Sequence, residues 1–269
     1  MTQPPLVLVT GATGYVGGRL VPELLDAGYR VRALTRHPER LGGHDWCDRV
    51  DVVRGDMLDP EAVSAALVGV DVAYYLIHSL DSGRRYELND RTAARVFARA
   101  ARENAVGRIV YLGGLYPEGE ELTAHLESRR EVGDILLSSG VPTAVLRAAV
   151  IIGSGSASFE MLRYLTERLP VMITPRWLRN EVQPIAVRDV LRYLVGVAAL
   201  PPEVNRTFDI GGPDVLTYLD MMQRYAIIGG LRKRVIVPVK VLTPNLSSHW
   251  VGLITPVPAS IARPLVESL

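Results

Sequence analysis

The stretch Thr10-Gly11-Ala12-Thr13-Gly14-Tyr15-Val16-Gly17-Gly18 leaves this chain little choice of fold. An apolar run from Leu6 to Val9 enters it and a helix-like stretch from Tyr15 to Ala27 leaves it, which reads as a strand, a glycine turn and a helix. Glycines at 11, 14 and 17 let the chain turn tightly, let backbone N–H groups approach a diphosphate, and let the helix pack closely on the strand. The start of the helix adds unpaired N–H donors and a partial positive charge that favour phosphate. A tight structural turn can use the same glycines with no ligand. The strand-to-helix setting makes a dinucleotide site the better reading, with Gly11, Thr13, Gly14, Tyr15, Val16 and Gly17 around it.

Strand and helix patterns keep alternating along the chain. Arg30 to Thr35, Val50 to Val53, Val72 to Ile77, Arg108 to Leu112 and Pro142 to Arg147 read as further strands, with helical patterns at Arg84 to Asn104 and Leu122 to Ser138. This order predicts right-handed βαβ units and a six-stranded parallel sheet, a Rossmann-type doubly wound α/β fold. Asp59-Pro60-Glu61 marks a helix start, with Asp59 as N-cap and Pro60 at the first helical position. Pro22 falls inside the first helix and predicts a kink or an irregular start there. In the helix over 84–104, Leu88, Thr92, Val96 and Ala100 recur at one spacing, with Ala93, Phe97 and Ala101 beside them. Arg91, Arg95, Arg99 and Arg102 form another face. It reads first as a solvated surface, and otherwise as a site for an acidic partner or the second subunit of a homodimer.

With 269 residues the chain buries a large core unaided. Cys47 is the single cysteine, which excludes an intramolecular disulfide and a cysteine-based zinc cluster and makes a reducing cytoplasm the simplest setting. Thirty Lys plus Arg against 29 Asp plus Glu give a net charge of +1, too little for a general nucleic-acid binder. No signal peptide or membrane span is apparent, and the five histidines are scattered without a metal-ligand pattern. Residues 1–153 are expected to form the nucleotide-binding core and 154–230 a substrate-side region interleaved with it. Residues 231–269 form an apolar, proline-containing segment.

Thr10 to Gly17, with its Gly-x-x-Gly-x-x-Gly spacing, resembles the opening motif of the extended and atypical short-chain dehydrogenases/reductases, especially their NmrA-like, NAD(P)H-binding branch. Gln183 to Val190 and Thr207 to Pro213 are similar to later segments of that superfamily, so the resemblance runs from about residue 6 to about residue 228. It implies a small-molecule substrate and places Asp56, with Met57, at the adenine edge. The alternative for Asp56 is a plain turn carboxylate. It also implies cofactor contacts from Ile77, His78, Gly113, Arg129 and Ala148; for His78 a loop role stands equally. In some bacterial relatives a tail like 231–269 leads into a further domain.

An NAD-selective site places Asp or Glu at the end of the second strand, to hold the ribose hydroxyls and repel a 2′-phosphate. Here that end reads Leu34-Thr35-Arg36-His37-Pro38. The missing acid and the presence of Arg36 favour NADP(H) over NAD(H), with Arg40 as the alternative inward-pointing cation. The resembling enzymes activate a carbonyl with a Tyr-x-x-x-Lys pair and a Ser at the end of the fifth strand. In this chain His125 stands at the Tyr, Arg129 at the Lys, and Gly113 or Gly114 at the Ser. His125 is therefore the candidate for acid/base work, against a merely structural role, and Arg129 the candidate to hold the ribose or phosphate. Two functions fit: an NADPH-dependent, quinone-reductase-like enzyme, or a non-catalytic NADP(H)-binding redox sensor or assembly factor.

Overall fold

A computed structural model of the chain describes residues 3–77, 86–117, 119, 122–174 and 176–238. The wholly buried strand β1 (Leu6–Thr10) leads through the glycine turn into α1 (Tyr15–Asp26). β2 (Arg30–Thr35), β3 (Asp51–Arg54), α2 (Pro60–Leu67), β4 (Val72–Tyr75), α3 (Tyr86–Glu103), β5 (Arg108–Gly114), α4 (Ala124–Leu137) and β6 (Thr143–Ala148) come next. The chain then runs through β7 (Ile151–Ile152), α5 (Ala157–Arg168), β8 (Val171–Thr174), β9 (Glu181–Val182), β10 (Ile185–Ala186) and α6 (Val187–Val197). It continues through β11 (Arg206–Ile210), β12 (Leu216–Thr217), α7 (Tyr218–Ile228) and β13 (Val235–Pro238).

The central sheet has seven strands in the order β3-β2-β1-β4-β5-β6-β11, where six were expected. The first neighbours are parallel: Val9 pairs with Ala33 of β2 and with Tyr74 of β4. The extra strand is β11, laid along the edge that β6 would otherwise leave open. At one end the Thr143 N–H donates to Asn205 Oδ1 at 3.0 Å, and at the other Arg147 Nη2 donates to Asp209 Oδ2 at 2.9 Å. Both strands therefore run the same way. Arg108, 3% exposed at the start of β5, donates to the carbonyls of Leu200, Pro201 and Val204 and so fixes the loop that returns the chain to this edge.

Close contacts group the described residues into two compact units. One contains residues up to Arg147 together with Arg188–Ile210; the other contains Ala148–Val187 and residues from Gly211 onward. The first holds the sheet, with Val63, Ala66, Ala94, Phe97 and Leu136 buried against Leu8, Ala73, Tyr75 and Ile109. The second is built on α5 and α7, around Met161, Leu165, Tyr218 and Met222.

α1 runs as one helix through Pro22 and does not start irregularly there. The carbonyl that residue 22 would normally bond is that of Gly18, and it accepts a hydrogen bond from the Trp46 indole at 3.1 Å instead. In α3 the row with Ala93, Phe97 and Ala101 faces the core, whereas Leu88 is 59% exposed. On the arginine face Arg91 pairs with Glu131 of α4 and Arg99 with Glu103, so two of these cations already have partners within the chain. The expected cap of α2 is present: Asp59 Oδ1 accepts from the N–H groups of Glu61 and Ala62 at 3.0 and 3.3 Å.

Candidate functional site

The three glycines of the turn do different work. Gly11 has φ of +75°, and a Cβ there would stand 2.6 Å from the Leu76 carbonyl oxygen. Gly17 is buried in the first turn of α1, where a Cβ would lie 2.2 Å from the Gly11 oxygen. Neither position admits a side chain, ligand or not. Gly14 differs: it is exposed, has ordinary φ of −84°, and a Cβ would meet only the Gly11 oxygen at 3.1 Å. It is the N-cap residue of α1 and supplies no side-chain cap, so the helix start keeps N–H groups open to an anion.

Beside the turn lies a cleft of about 350 Å³ at the carboxyl ends of β1, β2 and β4, where the strand order reverses direction. It brings together Gly11, Thr13, Gly14, Arg36, Asp56, Met57 and Ile77 of the expected residues. Tyr15 and Val16 sit half-buried in the first turn of α1 next to it, and Arg19 stacks over the Tyr15 ring at 4.1 Å. Ala148 is buried at the end of β6. His78 lies outside the described residues.

The cation side of the cleft is formed by both Arg36 and Arg40. Arg36 is well exposed and has Asp56 Oδ2 at 3.9 Å, while Asp56 Oδ1 accepts the Leu58 N–H at 2.9 Å. Asp56 thus makes the turn expected of a loop carboxylate and also lines the cleft. Sequence reasoning overlooked two residues that shape the site. The buried Thr10 hydroxyl donates to the Tyr74 carbonyl at 2.9 Å and accepts the Leu76 N–H at 3.1 Å, tying β1 to β4 where they diverge. Gly55 leaves room between Leu34 and Ala62, either of which would be 2.9 Å from a Cβ there. A threonine closing an apolar strand was the available signal for the first.

On the other side of the sheet centre, Thr123 caps α4, its hydroxyl accepting from the Leu126 N–H, and sets His125 in the first turn. His125 is half-buried and makes no hydrogen bond to a described side chain. Burial, and then the charge of Arg129 one turn on, bring its pKa down to about 4. Arg129 is buried, and its carbonyl accepts a hydrogen bond from the Tyr111 hydroxyl at 3.3 Å. Tyr111 lies in β5 and is fully buried, as its strand position predicts. A Cβ on Gly113 would stand 3.0 Å from its ring, and one on Gly114 would stand 3.2 Å from Leu126. Gly113, Arg129, Tyr116 and Arg147 surround a narrow cavity of about 10 Å³, separate in lining from the larger cleft. Arg147 is held there by Asp209 and by stacking over Tyr116 at 4.4 Å. Gln183 donates to the Gly212 carbonyl at 2.7 Å, and the side chains of Arg176 and Trp177 lie outside what is described. Among the described residues no group of His, Cys, Asp and Glu could hold a metal ion.

A family model described as NAD(P)H-binding matches residues 11–151, more than half of the chain, and covers the turn, the cleft and α4. The chain belongs to the NAD(P)H-binding family. It is 28% identical over 239 residues to a ceramide reductase of Caulobacter vibrioides, a match covering 86% of this chain and 73% of that protein. It is 29% identical over 218 residues to a (4-alkanoyl-5-oxo-2,5-dihydrofuran-3-yl)methyl phosphate reductase of Streptomyces griseus, covering 79% and 70%. In three dimensions the NAD(P)H-binding chain is similar to the triphenylmethane reductase of Citrobacter sp. complexed with NADP(H). The TM-score is 0.75 at 22% identity, over 98% of this chain and 89% of that one. An NADPH-dependent quinone oxidoreductase from Escherichia coli gives 0.75 at 17%, over 98% and 87%. These last two similarities show the fold, a Rossmann-like α/β arrangement. The cradle fits such a cofactor, because a bare Gly14 and free N–H groups at a helix start accept a diphosphate where a Cβ would fill the space.

Proposed function

We propose that this chain is an NADPH-dependent reductase that works without a Tyr-Lys pair. The observation that carries the reading is the match to a reductase over 239 residues, which extends well beyond the NAD(P)H-binding segment at 11–151. When bound, the nicotinamide supplies a hydride to an acceptor. Gly11, Thr13 and Gly14 would hold the cofactor diphosphate and Arg36 with Arg40 the 2′-phosphate; no Asp or Glu stands at the end of β2 to repel it. Met57 and Ile77 give the apolar walls.

His125 sets the chemistry. With its pKa near 4 it is neutral at physiological pH, so it donates one hydrogen bond to an acceptor oxygen and has no readily released second proton. Water completes the protonation. This arrangement favours acceptors whose reduced form is already stable as an anion, such as quinones and conjugated enals, over simple ketones. The test is NADPH oxidation with quinones, enals and simple ketones, in the wild type and in His125→Ala. The expected result is turnover of quinones or enals, little ketone reduction, and a drop of about tenfold in the variant. Strong ketone reduction that survives His125→Ala would overturn the assignment.

The second reading, a non-catalytic sensor of NADPH against NADP, is favoured by one observation: His125, Arg129 and a glycine stand where the resembling enzymes carry Tyr, Lys and Ser. No turnover with any acceptor, together with clear discrimination between NADPH and NADP in binding, would select it.

A further inference from the structure

The last turn of α7 ends in two adjacent isoleucines that the described residues leave exposed. Ile227 is 75% and Ile228 is 86% exposed, while Met221, Met222 and Ala226 on the same helix are buried in the core of their unit. Other exposed large apolar residues, such as Leu58, Val68 and Leu88, stand singly, which is ordinary for a protein surface. Two neighbouring isoleucines at a helix end are not, because each leaves most of a branched apolar side chain in water.

The chain then turns sharply. Gly230, at φ of +67°, donates to the Ile227 carbonyl, and Leu231 donates to that of Ala226. Arg232 and Lys233 come immediately after, both exposed and neither paired with a described carboxylate. The arrangement is braced: Gln223 Nε2 donates to the Arg234 carbonyl at 2.9 Å, and the Val235 N–H donates to the Pro170 carbonyl at 3.0 Å. That second bond starts the β13–β8 ladder, where Val235 pairs with Val171; these two valines are 56% and 58% exposed. Exposed apolar and cationic residues thus follow one another in one braced segment of the chain.

We propose that the end of α7, with the turn through Arg232 and Lys233, docks on the anionic headgroup face of a lipid bilayer. Ile227 and Ile228 enter the boundary between headgroups and acyl chains, and the two cations meet lipid phosphates, the pairing of apolar burial with positive charge that interfacial binding requires. The charges choose this occupant: a purely apolar protein partner would leave Arg232 and Lys233 to be desolvated without a counter-charge. No described helix is long and apolar enough to cross a membrane, so contact of this kind is peripheral.

The test is co-sedimentation of the full chain with phosphatidylcholine vesicles, with and without phosphatidylglycerol, at low and high salt. The expected result is binding that needs the anionic lipid and weakens with salt. Ile227→Ser with Ile228→Ser, and separately Arg232→Gln with Lys233→Gln, should each lower the partition coefficient by about tenfold. Thermal midpoints should be unchanged, since all four side chains are exposed. A wild type that stays in the supernatant with anionic vesicles at low salt would overturn the proposal, as would full binding by the isoleucine variant. A change of oligomeric state in that variant, without any vesicle binding by the wild type, would assign the face to protein contact instead. None of these readouts depends on the cofactor or on turnover.

Discussion

Gly11, Gly14 and Gly17 look alike in the sequence, yet the backbone separates them into two demanded by folding and one, Gly14, that folding does not demand. Gly14→Val should keep the chain folded with a modest loss of stability, because only the Gly11 oxygen must yield by a few tenths of an ångström. Its affinity for NADPH should fall beyond detection by calorimetry. Gly17→Ala should lower stability by about 3 kcal/mol or more, with a Cβ at 2.2 Å from a backbone oxygen; a Gly17→Ala protein as stable as wild type would refute this division. His125 carries a pH signature. Its folded pKa of about 4 lies below the ordinary 6.5, so the unfolded chain takes up the proton more readily. The stability this residue helps to hold is therefore complete above pH 6.5 and lost progressively as pH falls toward 4. Urea titrations across that window should show a shallower pH dependence in His125→Gln than in wild type. The same pKa predicts an activity profile with no histidine step near 6.5.

The first helix shows how an element survives a residue that should disrupt it. Pro22 removes one donor from α1, and Trp46, distant in sequence, supplies it to the Gly18 carbonyl at 3.1 Å. The indole is held in place by stacking on His44 with ring centres 4.7 Å apart. Trp46→Phe keeps the stack and loses the donor, so it should cost about 1–2 kcal/mol. In a Pro22→Ala background the restored N–H serves Gly18, and the same substitution should cost clearly less. Denaturant unfolding of the four proteins measures that coupling, and additivity would show that the indole is not acting as the missing helix donor. Helix positions and the α2 cap were legible locally, because periodicity and the Asp-Pro start act over a few residues. The fate of Pro22 was not, because its remedy comes from another loop. The burial of α3 was read partly wrongly for a related reason: Leu88 and Phe97 are both apolar, and only the placement of β4 and β5 decides which of them is covered.

For the molecule as a whole, the decisive measurement is which cofactor stabilises it. Two arginines in one cleft and no acid at the end of β2 predict that NADPH raises the thermal midpoint more than NADH. At a hundredfold excess over Kd the gain should be about 2.7 kcal/mol, or roughly 5 °C. Arg36→Ala should weaken NADPH binding by about tenfold, near 1.4 kcal/mol, and leave NADH almost unaffected. Asp56 lies 3.9 Å from Arg36 and competes for the same cation, so Asp56→Asn should shift selectivity further toward NADPH. Equal thermal shifts for the two cofactors would remove the basis for the 2′-phosphate site.

The doubly wound core and the diphosphate turn were written in the order of residues, since a strand, three spaced glycines and a helix start are local features whose geometry comes from backbone sterics and from the direction of the helix dipole. Cofactor class was readable at the same short range. Tertiary structure alone decided that β11 closes the β6 edge, that Arg108 fixes the loop returning to it, that Thr10 ties β1 to β4, and that the Tyr111 ring packs beside Gly113. It also decided that His125 is neutral, because burial and the charge of Arg129 act through space. Each of these depends on groups that meet only after the sheet has formed, and no pattern along a single strand or helix records which ones will meet.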